Sequence, residues 1–231
     1  MFWQEEKPRD TPVPDDIVDL LFSIDCRSLP VDHAFALAEA LRTVAPCITE
    51  DARIAVHSIH VAGSQNGWER PDPSLGQQLQ LSRRTKLTIR APREFVERLQ
   101  TDLVGRTLDI EGSPLTIGGA KTRLLSRQGT IFARHVVLET GESDDENRFL
   151  QRAASDLAQR GIRIRKALCG KTIDLAGPEG PIATRSLMLA DLPPDESLQL
   201  QREGFGPLRH MGCGIFIPHK GIDAVKKSED E

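Results

Sequence analysis

The sequence predicts an α+β protein of two tandem ferredoxin-like βαββαβ units, with a glycine-rich loop ahead of the final strand. Two observations carry this. Period-two and period-3.6 apolar patterns alternate in the order strand, helix, strand, strand, helix, strand, and that order then recurs in the second half. The two rounds share an architecture and no clear residue identity.

The first round opens on Val18, Leu20, Phe22 and Ile24, which alternate as a strand and stop at Leu29-Pro30. Asp32 suits an N-cap, and Ala34, Leu37, Leu41 and Val44 repeat at helical spacing up to Pro46. Strands are expected over Ile54 to Val61 and Lys86 to Arg90, separated by a polar turn at Asn66-Gly67. Pro92 opens a helix with Phe95, Val96, Leu99 and Leu103 on one face, and Leu108, Ile110, Leu115 and Ile117 read as a hairpin. In the second round, Ile131 to Leu138 is a strand and Asp144 to Gln159 a helix with Phe149, Leu150, Ala153 and Leu157 inward. Strands near Leu168 to Leu175 and Thr184 to Ala190 bracket a turn at Gly177-Pro178-Glu179-Gly180. A helix starts at Pro193-Pro194 with Asp195 and Glu196 in its first turn, and Cys213, Ile215 and Ile217 alternate as a closing strand. The expected organisation is a flexible arm over 1–15, domains over 16–126 and 127–222, and a charged, disordered tail over 223–231.

A chain of 231 residues with 39% hydrophobic and 28% charged residues is an ordinary globular composition. The charged, proline-bearing N-terminus is unlike a signal peptide, and no apolar run approaches a bilayer span; a cytoplasmic protein without a membrane partner is expected. Cys26, Cys47, Cys169 and Cys213 form no C-x-x-C pair, so neither zinc nor a disulfide framework is expected. The net charge of −4 hides its distribution. Leu157 to Ile173 carries Arg160, Arg163, Arg165, Lys166 and Lys171 with no acid, and Gly204 to Ile222 contains no acid either. Local patches of this kind decide phosphate binding, although a solvated basic face has the same composition.

The most distinctive stretch runs from Gly204 to Lys220, where Gly204-Phe205-Gly206 and Gly212-Cys213-Gly214 flank five residues including Arg209 and His210. Glycine accepts positive φ, and successive N–H groups in such turns form concave nests for anions. The same pattern also makes a tight turn between helix and strand, with no ligand at all.

With these blocks goes a resemblance. Phe22 to Ala34, Leu81 to Thr85, Arg165 to Gly170, Thr184 to Leu192 and the glycine stretch together resemble the RAMP superfamily of CRISPR systems. Within it the chain is similar to the endoribonuclease that processes precursor CRISPR RNA, in its myxobacterial-type form. The resemblance implies RRM-like ferredoxin folds and metal-independent cleavage within the repeats. In that chemistry the RNA's own 2′-hydroxyl attacks the adjacent phosphorus, leaving 2′,3′-cyclic phosphate and 5′-hydroxyl ends. It also implies a repeat-hairpin partner, product retention and other effector subunits. No cofactor is expected. A non-catalytic subunit that only holds the guide RNA, and a small-molecule-binding ferredoxin-like protein, are the alternatives.

Six histidines compete for proton transfer. His33 follows the expected N-cap of the first helix, where this family often places its catalytic histidine; an exposed first-turn histidine is the plain alternative. His60 is the second candidate, although a structural role fits both His57 and His60. His135, alternating with Ile131, Ala133 and Val137, suits a satisfied core histidine. RNA contacts are expected from Arg27, Ser28, Arg83, Arg84, Lys166, Arg185, Arg209, His210 and Lys220, and from the amides of Gly204, Gly206, Gly212 and Gly214. The chain has no Tyr and only two Trp, which limits stacking on rings.

Overall fold

The computed structural model describes residues 12–60 and 78–219. The polar turn at 66–67, Lys220, the tail over 223–231 and most of the expected arm lie outside the described residues.

The first unit is a five-stranded antiparallel sheet of β1 (Ile17–Asp25), β3 (Ala55–Val56), β5 (Lys86–Pro92), β6 (Thr107–Ile110) and β7 (Ser113–Leu124), in the order β3-β5-β1-β7-β6. Two helices, α1 (Ala34–Val44) and α2 (Val96–Leu103), lie on one face. Val18, Leu20 and Phe22 point to that face and meet Leu37, Leu41, Leu99 and Leu103 in the core. A two-stranded ribbon of β2 (Ser28–Pro30) and β4 (Gln78–Gln80) stands beside the sheet. The second unit orders its strands β11 (Phe216–Pro218), β8 (Ile131–Val137), β10 (Ile182–Ala190) and β9 (Lys166–Leu175), with α3 (Glu146–Gln159) and α4 (Pro194–Glu203). Its core joins Ile131, Ala133, Phe149, Leu157, Leu187, Leu189 and Phe216. Numbered within each unit, both sheets read fourth-first-third-second, the ferredoxin-like order, and β6 extends the first. Among the described residues no helix is long and apolar enough to cross a membrane.

Several expectations need correction. Asp32 does not cap α1. The N-cap is His33, with no side-chain cap bond, and Asp32 turns away to accept from the Ala176 amide at 2.6 Å. The strand expected over Ile54 to Val61 pairs only at Ala55–Val56, so His57 and His60 do not sit on a regular ladder and Val61 lies outside the described residues. The closing strand is Phe216–Pro218; Cys213 makes an isolated parallel bridge with His135 instead. Leu29-Pro30, expected only as a break, belongs to the ribbon.

The units are joined by charge as much as by apolar contact. Arg90 on β5 is fully buried and Asp19 on β1 nearly so, both on the sheet face opposite α1 and α2. The guanidinium donates from Nε to Asp19 Oδ1 at 2.7 Å and from Nη2 to Oδ2 at 3.2 Å. Its Nη1 donates to the carbonyls of Gln201 and Phe216, each at 2.8 Å, at the end of α4 and the start of β11. Burial drives the Asp19 carboxyl upward, but Arg90 and then His57 outweigh it and hold Asp19 well below the usual carboxylate range. A small apolar cluster of Ile17, Leu125 and Leu198 lies alongside. The connector is fixed as well: Gln201 Nε2 donates to Ser126 O at 2.6 Å, and the Ser197 hydroxyl donates to Gln128 O at 2.6 Å.

Removing one member of a buried, fully bonded ion pair leaves the other uncompensated. Arg90→Met is therefore expected to destabilise the protein by about 3–5 kcal/mol, read as the shift in a urea unfolding curve. A loss below about 1 kcal/mol would deny Arg90 its part in joining the units.

Candidate nucleic-acid-processing site

His33 sits where the ribbon enters α1. It is 2% exposed, and both ring nitrogens are engaged. Nδ1 lies 2.9 Å from the Pro30 carbonyl and Nε2 accepts the Ile59 amide at 3.0 Å. A carbonyl can only accept, so Nδ1 carries the proton and Nε2 the lone pair. Burial lowers the pKa of His33 despite that carbonyl. The plain alternative of an exposed first-turn histidine is thus set aside: the imidazole is buried and holds the Ile59 amide, one residue before the half-buried His60.

From His33 the ribbon runs back to the arginines. Ser28 pairs with Gln80 and its hydroxyl donates to Gln78 Oε1 at 2.6 Å, while the Leu81 amide donates to Arg27 O at 2.9 Å. Arg27, Arg83 and Arg84 are exposed there, and a three-residue ribbon separates them from His33 by about 10 Å of strand. A depression of about 200 Å³ at that end is lined by Cys26, Arg27, Ser28, Gln78, Gly112 and Ser113, with Pro114. A second, of about 380 Å³, lies at Asp32, the residue before His33. Asp32 and the β9–β10 hairpin, including Leu175, Ala176 and Gly180, line it. Hence the His33 corner belongs to both units: Asp32 of the first holds the hairpin of the second. Sequence reasoning missed Asp32 in this role because an acid before a helix reads first as a cap.

The glycine loop departs from expectation. All four glycines have positive φ, from +65° at Gly214 to +87° at Gly212. Yet Gly204 N–H donates to Leu200 O (2.8 Å), Gly212 N–H to Arg209 O (3.2 Å) and Gly214 N–H to His135 O (2.6 Å). Three of the four amides proposed for phosphate are spent on the protein's own carbonyls, and only Gly206 is exposed. Gly212 is packed on the Ser58 hydroxyl and Gly214 on the Phe205 carbonyl, so closely that a Cβ would collide with either. The loop is a close-packed joint. Arg209 is drawn into it: 8% exposed, it donates from Nη1 to Glu203 O at 2.7 Å and Ala52 O at 3.4 Å. Burial, then the nearby Arg90, pushes its pKa down to about 10. Arg185, also 8% exposed, sits at a β-bulge and donates to Gly170 O at 2.8 Å and Ser143 O at 2.9 Å. Neither guanidinium reaches the surface to clamp RNA. Lys166 is exposed but paired with Asp191 at 2.9 Å, and His210 is half-buried near Glu39 with its pKa lowered by burial. Lys220 lies outside the described residues.

His135 is the expected core histidine: 3% exposed, with Nδ1 3.0 Å from the Thr184 hydroxyl. That hydroxyl donates to Ile173 O, so the imidazole supplies the proton between them. His57 lies 3.7 Å from Asp19, and burial lowers its pKa too.

The Cas6 CRISPR family model matches residues 18–221. The chain belongs to the Cas6 family. The CRISPR-associated endonuclease Cas6 of Myxococcus xanthus (strain DK1622) is 32% identical over 202 residues, covering 87% of this chain and 81% of that protein. Family membership carries the expected endonuclease activity with it. Two solved structures share the fold. A CRISPR-associated Cas6 protein has a TM-score of 0.59 at 11% identity and covers 88% of this chain and 100% of its own. A Cas6-related protein from Pyrococcus furiosus has a TM-score of 0.58 at 13% identity, covering 87% and 97%.

Two outcomes test this Cas6-family site. Gly214→Ala, with its positive φ and blocked Cβ, is expected to cost about 3 kcal/mol or more, whereas Gly206→Ala, with open space around it, costs about 1 kcal/mol; equal small losses in denaturation would return the loop to a ligand role. Lowered histidine pKa values also set a pH window. Unfolded histidines take up protons near 6.5, while folded His33, His57 and His210 resist until lower pH. Between those limits the unfolded state binds more protons, so stability is full above about pH 6.5 and falls below it. The melting temperature should drop between about pH 7.5 and pH 5.5, and less steeply in His33→Asn.

Proposed function

We propose that this protein cleaves precursor CRISPR RNA within its repeats without a metal, through attack of the RNA 2′-hydroxyl on the adjacent phosphorus. The products are a 2′,3′-cyclic phosphate and a 5′-hydroxyl end, and the protein stays on its hairpin product and joins an effector complex. One observation carries this best: a histidine corner shared by both units, joined through a short ribbon to exposed Arg27, Arg83 and Arg84. Family membership and the endonuclease from Myxococcus xanthus support the substrate class.

The reaction needs a proton removed from the 2′-hydroxyl and another delivered to the leaving 5′-oxygen. His33 is the first candidate. Its lowered pKa keeps the imidazole neutral near pH 7, with its lone pair on Nε2. In the free protein that lone pair holds the Ile59 amide, so a substrate hydroxyl must displace that bond and leave a buried donor unpaired, a cost of about 1–3 kcal/mol. Catalytic hydrogen bonds often form only in the substrate complex. His60, on the segment that His33 tethers, is the alternative, in which case His33 positions it. The arginines supply positive charge for the phosphates flanking the cut.

His33→Gln and His60→Ala separate these roles. Loss of about 10²–10⁴-fold in the single-turnover rate identifies the proton-transfer residue. If His33 only positions His60, His33→Gln, whose side-chain amide can still meet a backbone group, retains most of the rate. Cleavage in excess EDTA, with a cyclic phosphate on the product and none from RNA with a 2′-deoxy residue at the cut, is the expected chemistry. A strict metal requirement or an intact-rate 2′-deoxy substrate would overturn it. Charge reversal at Arg83 and Arg84 should weaken binding and flatten its salt dependence.

A further inference from the structure

The second sheet carries an apolar row that its core does not use. On β8, Ile131, Ala133 and His135 point to the helices and are buried, so Phe132 and Arg134 point the other way, each half-exposed. The ladder continues that position across every strand: Phe132 pairs with Ile217 of β11 on one side and with Met188 of β10 on the other, and Met188 pairs with Leu168 of β9. Ile217, Phe132, Met188 and Leu168 therefore form one line across the open face. Leu168, 54% exposed, is the most exposed large apolar side chain among the described residues. Two cation or ring groups lie beside the ring: the Arg134 guanidinium carbon is 5.8 Å from the Phe132 centroid, over its face, and the His219 ring is 5.6 Å away, tilted by 50°. Lys166, ion-paired with Asp191, lies on the same outward side of β9, two residues from Leu168.

An aromatic ring on a central strand, with an apolar row to either side and a guanidinium over it, has the chemistry that takes unpaired bases. Bases present π-faces to Phe and imidazole, and Arg134 adds a charge that suits a polyanion more than an apolar protein patch. We propose that this row is a stacking platform for single-stranded RNA. It rests on the reading that the protein binds RNA, and it extends the footprint to a face beyond the His33 corner and its arginine ribbon.

The test compares two RNAs: a repeat hairpin with a single-stranded flank of about eight nucleotides, and the same hairpin trimmed flush. Fluorescence anisotropy reads affinity for each. The wild-type protein should prefer the flanked RNA. Phe132→Ala should lose about tenfold in affinity for it and little for the trimmed RNA, Leu168→Ser should lose part of the preference, and Phe132→Trp should restore it. Melting temperatures check that the variants are folded, and Leu168→Ser, on the surface, keeps the test valid if Phe132→Ala is not. Equal losses on both RNAs, or none on either, overturn the platform; unchanged RNA affinity in every variant makes the row a contact for a protein partner. Wild-type cleavage of the trimmed hairpin tests the nuclease reading independently, so the two can fail separately.

Discussion

A buried guanidinium governs how the two halves of this protein meet. Arg90 leaves the first sheet on the face away from its helices, where a ferredoxin-like unit standing alone would present it to water. Asp19 on the neighbouring strand holds two of its nitrogens, and a third reaches the carbonyls of Gln201 and Phe216. Near the end of a helix, carbonyls lack intrahelical partners and carry partial negative charge. One side chain therefore meets the end of α4 and the start of β11 together, and the chain between those two points is the glycine loop. Its ends fixed, that loop must turn back within a short distance, which requires positive φ at Gly204, Gly206, Gly212 and Gly214.

The same constraint assembles the candidate site. Gly212 sits against Ser58, Ile59 gives its amide to His33, and His60 follows. Strand β3 is short, and the segment after it is shaped by these contacts instead of by a ladder. On the other side of His33, Asp32 takes the Ala176 amide of the second unit's hairpin. A change in the angle between units would thus disturb the histidine corner from both sides, although neither Arg90 nor Gly212 would touch RNA.

Much of this fold could be read in advance, because strands and helices announce themselves through local period. Phe22, Leu37, Leu99 and Phe149 fall on the faces their spacing implied, and the repeated element order gave the strand order. What stayed hidden was direction. Positive φ at a glycine is equally compatible with an amide aimed at a phosphate and one aimed at a neighbouring carbonyl; long-range packing decides, as the bond from Gly214 to His135 illustrates. Arg185 and Arg209 raised the same ambiguity: an arginine reads first as a surface residue, and only the bulge and the α4–loop corner draw these two inside. A signal for the joint did exist. Asp19 and Arg90 are opposite charges, each flanked on its strand by apolar residues (Val18 and Leu20, Ile89 and Ala91), a pattern that points to a buried pair.

Scarcity of aromatic residues had suggested that base stacking plays little part, yet composition counts rings without locating them. One phenylalanine on a central strand, continued on both sides by aliphatic residues in register, makes a wider flat surface than the same ring on a loop. Its neighbours matter as much: the sheet is already rigid through its core on the opposite face, so little ordering entropy remains to be lost when a base settles on it. By contrast, in the proposed function the exposed arginines of the ribbon would hold phosphate through charge, which salt screens and which does not distinguish paired from unpaired strands. On the proposed reading, charge near the cut and apolar area at a distance would divide the work: the first would draw in any RNA backbone, and the second would select one that carries unpaired bases beside its hairpin.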